Sequence, residues 1–213
     1  MRGGSKWDTL FMCGITLDLE IMRPWLLNVL ACPMDKHHPL EAFFFTWETG
    51  DQEMRAISVG AGEVSQHFRR GYGHLAKQLR DGTISPPAIR AIRDLTGCED
   101  SRILLDKAVE AIGRLEVAGE ISEDDLLRDF GREIDILYRF LNLIEVNEGL
   151  LVCSRCGRWY PIGSAVETIP ELLPDELRDR DRDLTWLERW RHLIPIDVAE
   201  RGKPFNLSGR SQT

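Results

Sequence analysis

The chain has 213 residues, 43% hydrophobic and 29% charged, and a net charge of −8, enough length to bury a sizeable core in one domain or in one domain with an insertion. The acidic balance argues against a protein that grips nucleic acid by itself through a basic face. No apolar run approaches the roughly 20 residues of a membrane span, the N-terminus lacks a signal-peptide pattern, and five unevenly spaced cysteines make no disulfide framework, which favours a cytoplasmic protein with a metal site.

Residues 1–21 read as an N-terminal extension, with Cys13 an incidental thiol, and Met22 opens the folded part. Pro24 suits the first turn of a short helix over Trp25–Leu30. Leu40–Trp47 (LEAFFFTW) is aromatic and β-prone, and the following TGDQE breaks it. From there to Glu148 the character is helical, in four segments. The first, ending near Leu79, is kinked or split by two glycines. Ser85-Pro86-Pro87 starts the second, which runs through Leu95 and is closed by Gly97. The third is capped by Asp100 or Ser101, places Ile103, Leu104, Ala108, Ala111, Ile112 and Leu115 on one face, and ends at Gly119. Ser122 and Asp125 resemble a capping box for the fourth, one helix to about Asn142 with Leu126, Leu127, Phe130, Ile134, Leu137 and Leu141 inward.

Gly149–Cys153 is a strand, and Arg158–Ile162 is its hairpin partner across the turn CSRCG. A helix starts at Pro174. The sign-alternating run Arg178–Asp183 reads as a solvated linker or helix start. LTWLERWRHLI is amphipathic and is stopped by Pro195, and the tail GKPFNLSGRSQT reads as irregular and partly disordered.

An apolar run, a CxxC turn and an aromatic run describe a zinc-knuckle hairpin, here with Cys153 and Cys156. The earlier stretch NVLACPMDKHHPL supplies a third cysteine, Cys32, at a matching turn. No catalytic constellation accompanies them. There is no GxGxxG or other phosphate loop, so the chain brings no S-adenosylmethionine (SAM) fold of its own. His67 and His74 lie one heptad apart without further ligands. Asp124–Asp125 and Glu99–Asp100 are explained as helix-start carboxylates, Cys98 as a small buried residue, and His192 as a surface or partner-facing one. Phe43, Phe44, Phe45, Trp47, Trp159 and Tyr160 suggest a base-stacking platform or, better, strand residues facing a core. A thiol enzyme built on Cys153 and Cys156 needs a neighbouring cation, which Arg155 and Arg158 supply only weakly.

The three segments LNVLACPMDKHHPL, GLLVCSRCGRWYPI and ETIPELLPDELR together resemble the small zinc-finger activator subunit of methyltransferases found in archaea and eukaryotes. The likeness is close over 22–47 and 149–177 and extends to the helical span between them in position and type. It implies an α+β fold: a small zinc-ribbon-like domain from both chain ends (22–47 and 149–177) with an inserted helical domain (48–148), leaving 178–213 as a C-terminal helix and tail. It also implies a non-catalytic partner that stabilises and activates SAM-dependent methyltransferases acting on tRNA, rRNA or a release factor. The fullest family pattern has four cysteines, whereas this chain has Asp35 at the fourth place. Three arrangements stay open: zinc on Cys32, Asp35, Cys153 and Cys156; zinc on the cysteines with His37 or His38; or a metal-free knuckle. The alternative functions are an RNA-binding zinc ribbon and a thiol enzyme.

The expected partner surface is Leu26, Leu30, Trp159, Tyr160, Ile162, Ile169, Leu172 and Leu173. Adjacent strand residues alternate faces, so Trp159 and Tyr160 cannot share one core. Pro161 marks RWYPI as a sheet edge open to strand addition.

Overall fold

A computed structural model describes residues 21–119 and 122–208. The N-terminal extension up to residue 20, Cys13 included, and the last five residues lie outside this range. Four strands form one sheet: β1 (Glu41–Trp47), β2 (Ile92–Asp94), β3 (Val146–Val152) and β4 (Trp159–Ile162), in the order β2-β1-β3-β4. β1 and β3 are antiparallel, with Ala42 opposite Leu151 and Phe44 opposite Gly149. β3 and β4 form the expected hairpin, with Val152 opposite Trp159 and Leu151 opposite Tyr160.

β2 runs parallel to β1 and corrects the expected second helix. That helix, α3 (Pro86–Arg90), lasts five residues. Ile92 is then buried while Arg93 points out, the alternation of a strand that takes up β1's otherwise unpaired side. Before it come α1 (Asp51–Val59) and α2 (Arg69–Arg80). α1 forms where only a strand break was expected, because Gly50 turns the chain and Asp51 and Glu53 complement the first-turn dipole. α2 follows a 3₁₀ turn and runs unbroken through Gly71 and Gly73.

The third segment is α4 (Glu99–Ala118), entered at Cys98 rather than at Asp100 or Ser101. Leu104, Ala108, Ala111, Ile112 and Leu115 face inward as read, but Ile103 is 41% exposed. The fourth is two helices, α5 (Glu123–Asp129) and α6 (Gly131–Asn142), because Phe130 leaves helical geometry at φ −122°, ψ 26°. Ser122 caps α5 as expected, accepting the Asp125 N–H.

The largest departure is at the C-terminus. α7 (Arg180–Arg189) and α8 (Ile196–Arg201) cover the sheet face opposite α4 and α6. One apolar cluster joins Phe44, Leu151, Tyr160 and Ile162 to Leu104, Ile112, Ile134 and Leu137. A second joins Phe45, Leu150, Val152 and Trp159 to Leu184, Trp186, Leu187, Val198 and Leu207. Each fully buried large side chain contributes roughly 1.5–3 kcal/mol. The run Arg178–Asp183 is not simply solvated: Arg178 and Asp183 are both wholly buried and paired at 2.7 Å, and the guanidinium lies 4.5 Å over the Trp159 ring. The tail is ordered through Leu207, which is 5% exposed, and the Trp159 indole N–H donates to the Phe205 carbonyl at 2.8 Å.

Candidate metal centre and the expected partner surface

Two turns of the same construction meet beside β4. In the first, the Cys32 N–H donates to the His37 carbonyl at 3.0 Å and the Lys36 N–H to the Cys32 carbonyl at 2.9 Å. In the second, the Cys153 N–H donates to the Arg158 carbonyl at 2.8 Å and the Gly157 N–H to the Cys153 carbonyl at 2.9 Å. Lys36 and Gly157 each take a positive φ, 58° and 73°. By this correspondence Asp35 stands where Cys156 stands in the second turn.

The ligand atoms of Cys32, Asp35, Cys153 and Cys156 all lie within 4.8 Å of one another. Cys32 Sγ is 3.8 Å from Cys156 Sγ, and Cys153 Sγ is 3.6 Å from each Asp35 carboxylate oxygen. Tetrahedral zinc with sulfur at about 2.3 Å and oxygen at about 2.0 Å sets its ligands roughly 3.5–3.8 Å apart. The donor set therefore fits a four-ligand zinc centre with no open position, the structural type. The His37 ring instead meets Ser154 Oγ at 3.1 Å and the His38 ring the Leu27 carbonyl at 3.2 Å, so neither histidine joins the converging set.

Electrostatics sort the four groups. The His37 backbone N–H, with help from the Cys32 and Cys153 thiols and Arg155, holds the Asp35 carboxyl at about 2. Burial pushes the Cys153 thiol up to about 12. Burial also raises Cys156, but the Arg158 backbone and side chain, with the two neighbouring thiols, outweigh it and leave that thiol below its ordinary value. Arg155 lies 3.3 Å from Asp35, and Arg158 is held bidentate by Asp175 at 2.8–3.0 Å. Three thiolates and a carboxylate on a dication leave a charge of about −2; Arg155 meets it directly at Asp35, while the Arg158 charge is shared with Asp175.

The expected partner residues divide. Leu26, Trp159, Tyr160 and Ile162 are at most 5% exposed, while Leu30, Ile169, Leu172 and Leu173 are half-buried. Trp159 and Tyr160 do face opposite ways, but both faces of the sheet are covered, so neither is exposed. The β4 edge is likewise taken by the chain itself. The Trp159 N–H donates to the Lys203 carbonyl at 3.1 Å, the Trp159 carbonyl accepts from Arg178 at 2.8 Å, and the Pro161 carbonyl accepts the Glu171 N–H at 2.8 Å. Strand addition at RWYPI is therefore blocked in this conformation. Four of the six aromatics considered as a base-stacking platform, Phe44, Phe45, Trp159 and Tyr160, are buried. His67 and His74 join no cluster of three or more metal-ligating side chains among the described residues, and His192 is exposed beside Trp190.

What the sequence reading missed at the site is the supporting shell. Tyr160 Oη lies 3.1 Å from Cys32 Sγ, with both residues fully buried, and the Arg158–Asp175 clamp reaches in from beyond the hairpin. No motif marks these contacts; only the hairpin register does.

A family model described as Trm112p-like protein matches residues 23–163. The match includes all four donor residues and ends one residue past β4. No curated protein and no solved structure matches the chain.

Proposed function

The chain belongs to the Trm112p-like family, whose members are activating subunits of methyltransferases and not themselves the catalysts, and from this we propose that it forms a heterodimer with SAM-dependent methyltransferases acting on tRNA, rRNA or a release factor. The observation that carries this reading is the family match over the segment that holds both knuckles and the sheet. On this reading the methyl donor is bound by the partner, nucleic acid is met only through the partner, and the work is done in the cytoplasm. No helix among the described residues is long and apolar enough to cross a membrane. On this reading residues 22–47 and 149–177 act as the zinc-ribbon-like part, 48–148 as a largely helical insert that also gives the sheet β2 and the start of β3, and 178–213 as a C-terminal part that covers the second sheet face.

Zinc on Cys32, Asp35, Cys153 and Cys156 locks two chain segments more than a hundred residues apart into one rigid corner. A closed centre supplies folding energy rather than chemistry. Of the expected contact set, Leu30, Ile169, Leu172 and Leu173 are the residues with surface to offer, and Val29 and Met34, in the same stretch of chain as Leu30, are 49% and 41% exposed.

The test is co-expression with the methyltransferase catalytic subunits of the native cell. Ile169→Asp and Leu172→Asp should abolish co-purification while the free chain keeps its circular dichroism spectrum. Variants that still co-purify, or that unfold the free chain, would move the interface elsewhere. Calorimetry of the isolated chain with SAM should give no heat of binding, and micromolar binding would sink the non-catalytic reading.

A further inference from the structure

The hairpin register sets Tyr160 opposite Leu151, two residues before Cys153, and this aims its side chain at the other knuckle. Its hydroxyl reaches Cys32 Sγ at 3.1 Å, and both residues are 0% exposed. No solvent competes for either group. A tyrosine phenol, with an ordinary value of about 10, carries its proton near neutral pH. A cysteine that ligates a metal does so as thiolate and has no proton to give. With metal bound, the direction of this hydrogen bond is therefore fixed: the phenol donates and the sulfur accepts.

We propose that Tyr160 is a positioning residue of the metal centre, donating its phenolic O–H to the Cys32 thiolate. The inference rests on the zinc reading of the four-residue cluster and does not depend on which methyltransferase the chain joins. Three thiolates and one carboxylate repel one another, and a donor bond to one sulfur draws off part of that charge and fixes the Cys32 side chain. Partners of this kind around a metal typically change affinity by about 10–100-fold. The geometry also explains a tyrosine where a phenylalanine packs equally well: a buried hydroxyl needs a partner, and Cys32 supplies it.

Tyr160→Phe removes the hydroxyl and keeps the ring. In the full chain it should lower zinc affinity, read by chelator competition, by about tenfold. It should also shift the sulfur-to-metal charge-transfer bands of the cobalt-substituted protein, because the thiolate regains charge. Leu150→Val, a packing change on the opposite face of the sheet, should leave those bands in place. A measurement on the unsubstituted chain covers the case of a variant that does not fold: loaded with NMR-active cadmium, it should show the Tyr160 hydroxyl proton protected from exchange and coupled to the metal. Unchanged affinity and unchanged bands in Tyr160→Phe, or an exchanging, uncoupled hydroxyl, overturn the role of Tyr160 and leave the metal centre standing. A wild-type chain that takes up neither zinc nor cobalt overturns both.

Discussion

At Asp35 the chain exchanges a thiolate for a carboxylate, and the consequences concern protons. With its carboxyl held at about 2, first by the His37 N–H, Asp35 contributes stability that is complete above its ordinary 3.8 and is lost as pH falls through about 2. Near neutrality it is already ionised and adds no pH dependence. Cys153 is the opposite case: raised to about 12 by burial, it is a protonated thiol in the metal-free chain. Metal uptake must expel that proton. Apparent zinc affinity should therefore rise from about pH 6 to about pH 8, measured by chelator competition at each pH, and a flat profile would contradict the assignment of Cys153 as a ligand. Asp35→Cys should slow zinc loss to chelator and steepen the profile, because one more thiol then has to lose its proton.

Among the elements, Gly149 shows what a sequence reading gets right for an incomplete reason. The apolar run starts a strand at Gly149; in the structure β3 starts three residues earlier and Gly149 sits mid-strand. A Cβ at that position would lie 2.7 Å from the Phe43 carbonyl oxygen and 3.2 Å from Ile162 Cδ1. The glycine is required by the close approach of β1, and that is a property of the pairing. Gly149→Ala should force β1 and β3 apart at a cost of about 1–3 kcal/mol. Thermal unfolding should show a melting temperature lower by several degrees, and an unchanged one would mean that the strands have room there. Similar logic separates the legible elements from the rest. The long helix α4 carries its own periodic signal. β2, with Ile92-Arg93-Asp94, is too short to carry one and exists because β1 offers it an edge. The break at Phe130 leaves no mark in an apolar pattern that continues on both sides of it.

For the molecule as a whole, the donor set could be read from the sequence because knuckle spacing is local chemistry, and Asp35 stood at the right spacing to be named. The burial of Trp159 could not, because it depends on a segment lying beyond the hairpin and beyond the family match. Trp159 and Tyr160 do alternate, but onto two cores rather than one. The chain builds two, one on each face of a single sheet, and α7, α8 and Leu207 provide the second. The C-terminal segment also holds the β4 edge, through the Lys203 carbonyl and the Arg178 guanidinium, with the Glu171 N–H of the preceding stretch holding the rest. Ending the chain after Leu177 removes Arg178, Lys203 and all of α7 and α8. It would uncover Phe45, Leu150, Val152 and Trp159 together with most of the hydrogen-bonding edge of β4, a combination that invites edge-to-edge association. The truncated chain should aggregate or bind a hydrophobic dye. Trp186→Ala in the full chain, which opens a cavity beside Phe45 and Trp159, should cost about 3–5 kcal/mol without exposing the edge, and should stay monomeric. A truncated chain that remains monomeric with the full chain's melting temperature would mean that this layer is an appendage rather than half of the core.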